Sequence, residues 1–119
     1  MSVLVAVTDS GEGSYALAAA AEEAAMLGTD LLAMNLTLSS LDLSTLPENL
    51  SVTLIERAGR ADRDPVTAVI DEIDANPDVT RLVIGIKRRS RVSKALLGSV
   101  SQRLLMTSPV SVLAVKTPA

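Results

Sequence analysis

The chain opens on Val3-Leu4-Val5-Ala6-Val7, a short apolar run rich in β-branched residues that predicts a strand buried on both faces. Thr8-Asp9-Ser10-Gly11 breaks the run. Asp9 or Ser10 supplies a helix cap, and Asp9 with Glu12 has capping-box spacing. Tyr15–Leu27 is dense in Ala, Leu and Glu, which predicts a helix closed by Gly28. Leu31–Leu36 reads as a second strand. Leu38, Leu41, Leu43 and Leu46 then hold no single period and Pro47 stops a helix, so Thr37–Asn49 reads as a loop with one helical turn. Leu50–Arg57 predicts a third strand, followed by a polar loop over Ala58–Asp64. Asp64-Pro65 has the cap-then-proline form of a helix start, and Val66, Val69, Ile70 and Ile73 fall on one face until Asn76-Pro77 ends the helix. Arg81–Ile86 gives a fourth strand. Ser99–Met106 gives a third helix, with Ser99 and Gln102 at capping-box spacing, and Ser111–Lys116 a fifth strand after Pro109.

Strands that alternate with helices require right-handed crossovers and a mostly parallel sheet, so the class is α/β. At 119 residues, 48% of them apolar, the chain suits one domain over residues 1–119 with a core that needs no staples. Cysteine and histidine are both absent, which removes disulfides, thiolate sites, the usual zinc ligands and Ser-His-Asp triads. The apolar runs are too short to cross a bilayer, and no basic region leads into an apolar one at the N-terminus. A cytoplasmic protein without membrane partners is expected.

Charge changes the picture more than composition does. Residues 1–50 carry seven acids and no Lys or Arg, whereas residues 51–119 carry seven acids and eleven bases. Five of those bases, Lys87, Arg88, Arg89, Arg91 and Lys94, fall in one short loop. In open parallel sheets ligands gather beyond the carboxyl ends of strands, where the strand order reverses. The two loops that meet this condition are Thr8–Gly13 and Gly85–Gly98. The second runs into a helix N-terminus, where free N–H groups and the helix dipole attract an anion. Gly98 permits close backbone approach, Ser99 offers a hydroxyl, and the basic residues add positive charge. Each part has a plain alternative: Gly98-Ser99 as a turn and cap, Gly85 as a close strand–helix contact, the basic run as a solvated surface.

Other motifs fail. Gly11-Glu12-Gly13-Ser14-Tyr15-Ala16 fits a dinucleotide fingerprint, but Met34-Asn35-Leu36 lacks the acid that would hold a ribose at the end of strand two. There is no P-loop lysine motif and no G-x-S-x-G elbow. Asp71, Glu72 and Asp74 read as the solvated face of their helix, not a metal site. Nucleic acid is not expected as a partner, because Tyr15 is the only aromatic residue and the net charge is −3.

Val83-Ile84-Gly85-Ile86-Lys87-Arg88-Arg89-Ser90, running on to Leu97-Gly98-Ser99-Val100, resembles the signature of the universal stress protein family: a glycine, two residues, a glycine, nine residues, then Gly-Ser or Gly-Thr. Pro109–Val115 is similar to that family's closing strand, and Val3–Ser10 with Ala16-Leu17 to its opening strand, loop and helix. The resemblance spans nearly the whole chain, with a shortened middle. It implies an open five-stranded parallel sheet of order 3-2-1-4-5 with helices on both faces, of the adenine-nucleotide-hydrolase-like kind. It also implies a homodimer through the edge strand 111–116, and in some members ATP or AMP, with Mg2+, between the two loops. Gly85, Gly98 and Ser99 then match phosphate-contact positions, with Val100 a backbone contact beside them and Ser10 in the facing loop. Leu36 falls where strand two holds the adenine. Asp9 is the candidate acid near the ribose, although strict spacing from Ala16-Leu17 puts Thr8 in that slot. Arg88 stands at the second signature glycine, where its guanidinium, with Lys87, either binds phosphate or obstructs it. The function implied is a dimeric, nucleotide-binding stress regulator that hydrolyses ATP slowly at most, since no general base is visible near the turn. The alternative is a dimerisation protein of the same family that uses no nucleotide.

Overall fold

The computed structural model describes residues 1–8, 11–37, 39–56, 64–88, 95–96 and 99–117, with the backbone alone for residues 87, 88, 95 and 96. Its centre is β1 (Ser2–Val7), every residue of which is buried. The strand is apolar on both faces because both are covered. Val3, Val5 and Val7 meet α1 (Glu12–Leu27), while Leu4 and Ala6 meet the opposite layer, built from α2 (Pro65–Ala75) and α3 (Ser99–Thr107).

Around β1 the strands run parallel in the order β3 (Val52–Glu56), β2 (Asp30–Asn35), β1, β4 (Val79–Arg88), β6 (Ser111–Lys116). This is the expected five-stranded 3-2-1-4-5 sheet with helices on both faces. One addition was not foreseen: β4 extends two residues past Ile86, and Lys87 and Arg88 pair antiparallel with Leu96 and Ala95, the two residues of β5.

The helices follow their sequence cues with one correction. Asp64 caps α2, accepting from the Thr67 N–H at 3.1 Å, and Pro65 takes the first helical position. Val66, Val69 and Ile73 are buried, with Ile70 half-buried beside them. Gly28 closes α1 in the left-handed conformation, φ 64°, its N–H turned back to Ala24 and Ala25. The start of α1, however, lies three residues before Tyr15, with Gly11 at the cap position and no side-chain cap bond, so the expected capping by Asp9 or Ser10 is displaced. The reason is packing. A Cβ on Gly13 would strike the carbonyl oxygen of Thr8, so a glycine there lets the first turn press on the end of β1.

Residues 37–50 form no helix among the described residues. Two turns, closed by Leu46 N–H on the Leu43 carbonyl and Leu50 N–H on the Pro47 carbonyl, replace the expected helical turn. Leu41, Leu43, Leu46 and Leu50 pack on the α1 side of the sheet. This explains their irregular spacing: they cover a sheet face from an extended chain, not from one side of a helix.

Candidate functional site

The order of the sheet reverses between β1 and β4, since β1 leads outward to β2 and β4 outward to β6. The carboxyl ends of these strands, with the first turns of α1 and α3, therefore converge on one crevice. Val7 and Thr8 end β1, Asn35 and Leu36 end β2, and Gly85 to Arg88 end β4.

Gly85 is a packing position. A Cβ built on it would lie 2.5 Å from the Glu12 carbonyl oxygen and 2.9 Å from the Glu12 Cβ and Cγ. Only a bare Cα lets the first turn of α1 close over β4 there. Glu12 itself is buried, in the first turn of α1, where the helix dipole favours a carboxylate. On the other side of the sheet the buried Ser101 hydroxyl donates to the Gly85 carbonyl at 3.0 Å and ties the first turn of α3 to the end of β4. Leu104, fully buried, anchors that helix one turn further on.

Of the residues singled out in the sequence, Thr8 is half-buried at the end of β1 and Leu36 is buried just past β2, its N–H bonded to the Val7 carbonyl at 2.9 Å. Ser99 opens α3 and is exposed, and Val100 is half-buried against the α2–α3 layer. Asp9, Ser10, Gly98, Arg89, Arg91 and Lys94 lie outside the described residues, as do the side chains of Lys87 and Arg88. The backbone of Arg88, at the second glycine slot of the signature, is extended and paired in the β4–β5 ladder. Thr8, Leu36 and Gly85 thus lie at or near the carboxyl ends of β1, β2 and β4, and Ser99 and Val100 in the first turn of the helix tied to β4.

Sequence reasoning missed the polar cluster at the end of β2. The Asn35 side chain, only 2% exposed, donates to the Ser39 carbonyl at 2.8 Å and to Glu56 Oε2 at 3.1 Å, and accepts from Thr37. The one available signal was an amide inside an otherwise apolar strand. Its partners on the next loop and on β3 become neighbours only once the sheet is assembled.

Two ion pairs brace the frame. Arg81 on β4 pairs with Glu23 on α1. Arg103 on α3 makes two bonds of 3.0 Å to Asp64, the cap of α2. The Arg103 guanidinium, and after it the Thr67 N–H, hold the Asp64 carboxyl below its ordinary range. Among the described residues no helix is long and apolar enough to cross a membrane.

Taken together, the strand order and the helix layers define a doubly wound α/β protein with its switch point between β1 and β4. Comparison with known proteins narrows the class. The model of the universal stress protein family matches residues 52–116, more than half of the chain. A universal stress protein of Mycolicibacterium smegmatis is 61% identical over 41 residues, which are 34% of this chain and 32% of that protein. The chain belongs to the universal stress protein family. Two solved structures agree in fold over nearly their full length: a universal stress protein from Archaeoglobus fulgidus (TM-score 0.68, 24% identity, 98% of both chains) and the universal stress protein UspA from Lactobacillus plantarum (TM-score 0.69, 15% identity, 97% of both).

Proposed function

We propose that the protein is a stress-response regulator that binds an adenine nucleotide, ATP or AMP, across the ends of β1, β2 and β4. The observation that carries this reading is at the switch point: the N-terminus of α3, an anion-attracting end, is fastened to the end of β4 by the Ser101–Gly85 bond. Ser99 and Val100 in the first turn of α3 would meet the phosphates, Thr8 the ribose side, and Leu36 the base. Positive charge would come from residues 87–94, since the first fifty residues carry none. Asp9, Ser10 and Gly98 complete the proposed site by sequence position, and Mg2+ would travel with the triphosphate. The site is one of binding, not of fast chemistry.

Linkage gives the test. A ligand at a hundredfold excess over its Kd stabilises the folded state by about 2.7 kcal/mol, about ten degrees in melting temperature for a domain of this size. Millimolar ATP or AMP with magnesium is expected to raise the melting temperature by that order. An unchanged melting curve would sink the nucleotide reading.

A second reading has its own support. Glu12 accounts for Gly85 without any ligand, and Arg88 lies in a β-ladder where the signature has a bare glycine. A family member of this kind would then act without nucleotide, as a homodimer through β6, which pairs with β4 alone among the described strands. The melting test separates the two, since both readings allow a dimer; a monomer in sedimentation at tens of micromolar, a concentration typical of ordinary affinities, argues against the second.

A further inference from the structure

The amino ends of the strands, at the pole opposite the crevice, hold a second recess. A cleft of about 310 Å³ opens between the end of α1, the start of β2 and the residues that lead into β3. Ala24 and Leu50 give it apolar walls, and Thr29, Asp30, Asn49 and Ser51 bring side-chain oxygens to its lining. Its size is at the small end of small-molecule sites. Thr29 Oγ1 is buried and has no hydrogen-bond partner among the described residues. A hydroxyl in that state costs stability unless a ligand or solvent completes it. Asp30 is exposed at the first position of β2. Neither Arg81 nor Arg103 pairs with it, since these hold Glu23 and Asp64.

The electrostatics of the cleft have one sign. The last turn of α1 carries no basic residue, so nothing on the helix offsets the negative end of its dipole. No Lys or Arg occurs between Met1 and Glu56. An anion has nothing to pair with here. A divalent metal asks for several carboxylate ligands, and Asp30 is the one carboxylate in the lining. A quaternary ammonium ion asks for an aromatic cage, and the single aromatic residue, Tyr15, lies near the other end of α1. A primary alkylammonium ion suits what remains. Its three N–H donors match a set of oxygens, and its methylene chain matches Ala24 and Leu50. We propose that this cleft binds a small free alkylamine, with the ammonium group on Asp30 and the Thr29 hydroxyl and the chain along Ala24 and Leu50. The site is independent of the nucleotide reading.

The test is a titration of the 15N-labelled full chain with butylammonium chloride, followed by amide chemical shifts. The amides of Thr29, Asp30, Asn49 and Ser51 are expected to move and saturate with a Kd of about 1 mM or tighter, as befits a ligand of few heavy atoms. 1-Butanol has the chain without the charge and is expected to bind at least about tenfold more weakly, the scale of a charge-assisted hydrogen bond. Calcium chloride has charge without the chain and is expected to give no saturable shift at these residues. Asp30→Asn is expected to weaken butylammonium at least about fivefold without lowering the urea midpoint. Thr29→Val is expected to weaken it at least about threefold and to leave the midpoint equal or higher, because a methyl needs no partner. No saturable shift up to about 50 mM butylammonium overturns the proposal. Equal binding of 1-butanol, or of calcium, overturns it too, by reducing the cleft to an apolar recess or to bare charge. Parent-like binding by Asp30→Asn removes the ammonium from its assigned partner and overturns it. Parent-like binding by Thr29→Val with a lower midpoint gives that hydroxyl to folding alone and overturns its place in the site.

Discussion

Gly85 and Asn35 sit near the ends of the two strands that flank β1 and owe their identities to opposite constraints. Gly85 is defined by a missing atom: its Cα lies under the first turn of α1, and any side chain would have to displace Glu12 backbone. Asn35 is defined by four hydrogen-bond partners that no apolar residue could satisfy in a buried position. Gly85→Ala is therefore expected to destabilise the protein without any nucleotide present, by about 1–3 kcal/mol as for other forced insertions into a packed interior. Urea unfolding measures this as a lower midpoint at an unchanged slope. A variant as stable as the parent would show that α1 retreats at no cost, and would return Gly85 to a ligand-contact role alone.

At the scale of elements, strands and helices were legible wherever one residue pattern had one cause. The double-sided burial of β1 wrote a continuous apolar run, and α2 carried its cap, its proline and its apolar face in consecutive residues. The start of α1 was not legible because glycines at positions 11 and 13 are poor helix formers, and tertiary packing on Thr8 overrides that local preference. The leucines of residues 41–50 had no period because they serve a sheet face and not a helix. In the site, the glycine and the Gly-Ser turn stood out in sequence, but the Asn35 cluster needs β2 and β3 side by side and so could not. The α2–α3 contact gives a prediction at this scale. Asp64 is both cap and ion-pair partner, and its carboxyl is held below its ordinary value, mainly by Arg103. A carboxyl depressed in the folded state stabilises fully above its unfolded pKa of about 3.9, and that contribution is lost as the pH falls through the folded value. Asp64→Asn keeps a capping oxygen but neither titrates nor pairs with Arg103. The parent is expected to unfold at higher urea than this variant at pH 7, with the gap closing as the pH falls below about 4. A gap independent of pH would show that the charge of Asp64 contributes nothing.

For the whole molecule the open question is what meets the edge of the sheet. β6 pairs with β4 alone among the described strands, and Val112 to Val115 are half-buried on both faces, so a row of backbone groups along a partly apolar strand has no strand partner among the described residues. Such an edge is a template for pairing with another chain, and a second copy in a symmetric dimer is the occupant proposed here. The register identifies which groups are available. Thr117 donates its N–H to the Ile86 carbonyl, so by strand alternation Leu113 and Val115 also turn their backbone groups toward β4, while Val112, Ala114 and Lys116 turn theirs outward. Proline is tolerated on an edge strand where the lost N–H faces away from the sheet. Ala114→Pro is thus expected to preserve the fold while removing a donor from the dimer edge. Leu113→Pro, one residue away, breaks the ladder to β4 and is expected to lower stability sharply. If the dimer forms through β6, sedimentation of the Ala114→Pro variant should show a monomer whose urea midpoint stays close to that of the parent under conditions where the parent is also monomeric. A folded Ala114→Pro variant that remains dimeric would move the interface away from this edge.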